Sequence, residues 1–140
     1  MLFNPTPVIN YEVQPNVYVM AQHPVEMQVA AKKEEYKTTR HTVIKSEPSK
    51  LGKNCVEYAR SKAHVPNGVG TLKQKQNKIN TQIPSVGAVG VTAEGSVGHM
   101  VVIEQIKNDT LIISEGNYRH GFITWREIPK TMVLGYIEGA

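Results

Sequence analysis

The chain has one cysteine and one aspartate in 140 residues, and each scarcity excludes something. A single thiol, Cys55, forbids an intramolecular disulfide framework and leaves the redox compartment unread. With no second cysteine, and no metal-ligand spacing among His23, His41, His64 and His120, the sequence argues against a zinc site. Aromatics are few: two Phe, one Trp and six Tyr, so a core must rest on Val, Ile, Leu and Met. No apolar run approaches the roughly 18 residues of a membrane span. The opening Met1-Leu2-Phe3-Asn4-Pro5 lacks the basic and apolar regions of a secretory signal, so none is expected.

What is present fits an ordinary globular domain, with 40% hydrophobic and 20% charged residues. The net charge of +4 is a mild excess that suits weak attraction to a polyanionic surface, or simple solubility. It falls short of the basic stripe of a nucleic-acid binder, which remains the weakest reading. The glycines around Gly87-Ala88-Val89-Gly90 match no nucleotide fingerprint. Residues 1–45 carry Pro5, Pro7, Pro15 and Pro24 around short apolar runs, with one thin-striped helix candidate after Pro24. They read as an arm or attachment segment, and residues 46–140 as the working domain.

In that domain, Ser46 to Lys53 is turn-rich. A helix is predicted from about Asn54, a good N-cap residue, to Ala63, which puts Cys55 in the first turn. Residues 69–83 are polar, and Lys73, Lys75 and Lys78 suggest a solvated face. Strand patterns follow at Val86–Val91, Met100–Ile106, Thr110–Ser114, Phe122–Trp125 and Met132–Ile137. The fold class is therefore α+β, a cysteine-bearing helix packed on a small antiparallel sheet.

The Lys107-Asn108-Asp109 connection permits a geometric test. With a three-residue loop, His99 lies opposite Asn117 and diagonal to Glu115, all on one face. A two-residue loop flips the parity and separates them. If these residues work together, the hairpin needs an odd-length loop or a bulge. Cys55 would then be ionised by the helix N-terminus and His99, while Glu115 orients the ring. The Cys55 backbone N–H, with a donor near Asn54 or Gly52, would serve an oxyanion. Tyr118 and Trp125 are candidates for lining a substrate groove, with rim or core packing as the alternative.

Three blocks carry a family resemblance: Asn54-Cys55-Val56-Glu57-Tyr58-Ala59-Arg60, Gly98-His99-Met100-Val101-Val102-Ile103-Glu104 and Ile113-Ser114-Glu115-Gly116-Asn117-Tyr118. Over residues 46–140 the chain resembles the CHAP domains, the cysteine, histidine-dependent amidohydrolases/peptidases. The resemblance implies a papain-like fold and peptidoglycan as substrate. It implies Cys55 as nucleophile, His99 as base, and Glu115 with Asn117 as orienting residues. Some relatives bind calcium through acids ahead of the cysteine. Here only Glu47 stands nearby, so no calcium and no other cofactor is expected.

The expected activity is cleavage of a wall-peptide amide by an amidase or endopeptidase. The expected setting is a phage lytic or virion-associated enzyme, found on the particle or in the host cytoplasm before release to the wall. Residues 1–45 would then dock on another virion protein. The rival from a different class is a virion or assembly protein that keeps the fold with weak or lost activity.

Overall fold

Six strands form one antiparallel sheet in the order β1-β5-β4-β3-β2-β6. The computed structural model describes residues 41–139, which fall within one compact unit. The strands are β1 (Thr42–Pro48), β2 (Val89–Thr92), β3 (His99–Ile106), β4 (Thr110–Gly116), β5 (Phe122–Pro129) and β6 (Val133–Ile137). Helix α1 covers Cys55–Lys62 and α2 covers Leu72–Asn77, with single 3-10 turns at Lys50–Lys53 and Lys130–Met132. The α+β architecture read from the sequence is the observed one. Among the described residues, no helix is long and apolar enough to cross a membrane.

Helix α1 starts where the sequence places it. The Asn54 side-chain oxygen accepts from the backbone N–H of Val56 (2.8 Å) and Glu57 (3.2 Å), satisfying two donors that a helix leaves open at its N-terminus. The helix buries Tyr58 and Ala59 against Val89, Val91, Met100 and Val102, one face of the sheet. Tyr58 also donates to Ser114 Oγ at 2.7 Å, which ties the helix to β4. Gly116 lets the two approach: a Cβ there would stand 2.7 Å from the Leu51 carbonyl oxygen and 2.9 Å from Tyr58 Cβ. The opposite face packs Val101, Ile103, Leu111, Ile113 and Ile128 with Met132 and Tyr136 into a second core.

The β3–β4 hairpin solves its parity problem with a bulge. The Lys107 N–H donates to the Thr110 carbonyl at 2.9 Å, so only Asn108 and Asp109 form the loop. Near the turn Gln105 pairs with Ile112, but beyond it Ile103 pairs with Ile113 and Val102 with Ser114. Glu104 is the extra residue that moves the register by one. The shift brings His99 back to the face of Glu115.

Two local readings need correction. Ser46 to Pro48 are not turn but the end of β1, which pairs with β5 from Thr42 across the boundary placed between residues 45 and 46. Pro48 is tolerated because β1 is the outermost strand among the described residues. Lys75 is not on a solvated face but buried, at 1% exposure. Residues 1–40, which hold most of the expected arm, lie outside the described residues.

Candidate active site

Cys55 opens α1, half-buried, and faces the start of β3. There His99 is its hydrogen-bond partner. His99 Nε2 is held at 2.8 Å from Glu115 Oε1, so Nδ1 is the ring nitrogen left for the sulfur. Three segments, α1, β3 and β4, thus bring thiol, imidazole and carboxylate together.

Sequence reasoning missed what stands behind Glu115. Arg126, fully buried on β5, donates through Nε to Glu115 Oε2 (2.6 Å) and through Nη2 to Oε1 (2.7 Å). This two-point grip holds the carboxylate plane, and with it the ring of His99. Arg126 Nη2 also reaches Glu94 Oε1 at 3.1 Å, and Thr92 Oγ1 donates to the same oxygen at 2.7 Å. The signal was available in part: Ile113 pairs with Arg126, which puts the arginine on the face of Glu115 once β5 is aligned.

The electrostatics follow from this line. Burial pushes the Cys55 thiol up. Its hydrogen bond with His99, the charge of that ring, a backbone hydrogen bond with Met100 and the charge of Lys75 outweigh burial, leaving its pKa below the ordinary value. Burial works against a charged His99, but the hydrogen bonds to Cys55 and Glu115 and the charges of Glu115 and Glu94 win, and its pKa is pushed up to about 10. Burial raises Glu94, while Arg126 and His99 pull it below the usual carboxylate range. A thiol drawn towards ionisation beside a ring held charged is a nucleophile and an acid in one pair.

The remaining sequence candidates sit nearby. Asn117 follows β4 in the left-handed region (φ 66°), and its Oδ1 meets His120 Nδ1 at 3.1 Å. The His99 nitrogen it could have served is taken by Glu115. Tyr118 lays its ring 3.9 Å from the Arg126 guanidinium. Trp125 packs against the α1 side of the sheet, with Lys45 Nζ 4.3 Å from its ring centre. Asn54 caps α1. No group of three or more His, Cys, Asp or Glu that could hold a metal ion occurs among the described residues.

Comparison with known proteins identifies the family. The CHAP domain family matches residues 44–117, and the chain belongs to that family. Its described residues have that family's α+β fold. Over 56 residues it is 36% identical to the N-acetylmuramoyl-L-alanine amidase sle1 of Staphylococcus aureus, in strains USA300, NCTC 8325 / PS 47 and COL. That stretch covers 38% of this chain and 17% of the relative, so the chain matches less than a fifth of the relative's length. No solved structure matches the chain significantly.

Proposed function

We propose that the protein hydrolyses an amide bond of peptidoglycan through a thioester on Cys55. The observation that supports this most directly is the continuous line from the Cys55 thiol through His99 to Glu115. In the reaction, the Cys55 thiolate attacks the amide carbonyl and the C–N bond breaks as the His99 imidazolium gives its proton to the leaving amine. Water then attacks the thioester, His99 takes its proton, and the C–S bond breaks to release the acid product and restore the thiolate–imidazolium pair. The backbone N–H of Cys55, at the N-terminus of α1, serves the developing oxyanion, while those of Val56 and Glu57 are taken by the Asn54 cap. Asn117, at the exposed end of β4, serves the rim where substrate enters.

The bond we assign is the one between the muramoyl group and L-alanine, because the relatives are named as amidases of that bond. The setting we propose is a phage lytic or virion-associated enzyme whose Pro-containing segment ahead of β1 docks on another particle protein. Its support is the shift in composition between residues 1–45 and the rest. In this setting the protein resides on the particle, or in the host cytoplasm until it reaches the wall.

Mass spectrometry of purified peptidoglycan digested by wild type and by Cys55→Ala tests the reading. Release of free L-alanine amino termini by wild type alone supports it. Cleavage within the peptide would make the protein an endopeptidase. Inert wild type, with the fold intact, would favour a structural protein that keeps the domain as a scaffold.

A further inference from the structure

A lysine in a polar run belongs on the surface, yet Lys75 is 1% exposed. Its Nζ donates to the Val97 carbonyl at 2.8 Å. Val97 and Gly98 are the last two residues before His99, in a turn where Gly98 has φ 73°. Leu72, one helical turn before Lys75 on α2, closes on the same turn: a Cβ on Gly98 would stand 2.7 Å from Leu72 Cδ1. Helix α2 is itself fixed by a capping box between Thr71 and Gln74. Two adjacent side chains of a pinned helix therefore bear on the residues that launch β3.

The charge of Lys75 is equally pointed. Among the described residues no carboxylate lies within ion-pair distance of it. Burying an ammonium with only a neutral acceptor is costly. The ionisable group whose charge acts on it is Cys55.

We propose that Lys75 is a positioning residue of the thiol site: its buried ammonium fixes the turn ahead of His99 and sets an unneutralised positive charge against that turn. The inference rests on the reading of Cys55 as nucleophile. Burial pushes Lys75 below its ordinary value, Cys55 opposes that, and Lys75 in turn helps to hold the thiol down. The other groups acting on Cys55 are His99 of β3 and the Met100 backbone. Glu115 of β4 and Glu94 beyond β2 stand behind His99, both held by Arg126 of β5.

The test is iodoacetamide alkylation of Cys55 in the full chain as a function of pH. Lys75→Met keeps the stem and removes the charge, so the alkylation midpoint should move up by about 0.5–1 pH unit. A merely structural lysine would lower the melting temperature and leave that midpoint alone. If Lys75→Met does not fold, Lys75→Gln, which keeps a donor for Val97 without the charge, reads the same shift. An unchanged midpoint in either folded variant overturns the inference. Alkylation needs no wall substrate, so wild type that is inert on peptidoglycan would sink the proposed function and still leave this test decisive.

Discussion

Arg126 and Glu115 meet through two hydrogen bonds with neither side chain exposed, and Glu115 passes that order on to His99. A buried pair of this kind is weak evidence for net stability, because desolvation offsets most of the attraction. Removing one partner is another matter. Arg126→Leu leaves Glu94 without its buried ion-pair partner and Glu115 with His99 alone, and should cost about 3–5 kcal/mol of folding free energy. Urea unfolding at pH 7 measures it; a loss under 1 kcal/mol would show the network to be slack.

The pH profile of kcat/KM on a soluble wall fragment should be a broad bell. Its acid limb, set by forming the thiolate, should lie below the range of an ordinary thiol, because the Cys55 pKa is lowered. Its alkaline limb should lie near pH 10, where His99 gives up the proton meant for the leaving amine. An alkaline limb near 6.5 would mean the ring is not held charged.

Stability should follow the same ring. The folded pKa of His99 lies above its ordinary value of 6.5, at about 10. Its contribution is therefore complete below pH 6.5 and is lost as pH rises towards 10. Melting temperatures of wild type should fall across that window more steeply than those of His99→Gln. Parallel curves for the two proteins would refute this.

Gly116→Ala tests the approach of α1 to β4. The new methyl would stand 2.7 Å from the Leu51 carbonyl oxygen, 2.9 Å from Tyr58 Cβ and 3.1 Å from the Asn54 carbonyl oxygen, so the segment carrying Cys55 must retreat. A destabilisation of about 1–3 kcal/mol is expected. Turnover should drop by about 100-fold, since an ångström at the nucleophile costs far more in rate than in stability.

Asn54→Ala should remove about 1 kcal/mol, the worth of a helix N-cap, and slow alkylation of Cys55 at low pH. Asn54→Asp should restore both. Failure of Asp to rescue would assign Asn54 a contact other than the cap.

Much of this site could be read from the sequence because it depends on local rules. Asn54 announces a cap, and alternation fixes which side of β3 and β4 each residue takes. The parity of His99 and Glu115 even required an irregularity in the hairpin, and Glu104 supplies it. What stayed hidden depends on long-range placement. Ser46-Glu47-Pro48 carries turn residues, yet it joins β1 because β5 is there to pair with it. Lys75 looks like surface until the turn before His99 covers it. Arg126 becomes visible only once β5 is aligned beside β4.

The outermost strand sets a practical limit on how the protein can be shortened. Thr42, Val43 and Lys45 pair with Glu127, Arg126 and Trp125, so the arginine that steadies the site is flanked by residues that a cut before Ser46 would remove. Such a fragment would retain Cys55, His99 and Glu115 and still leave half of β5 with a bare edge. A catalytic fragment should therefore be started upstream of Thr42.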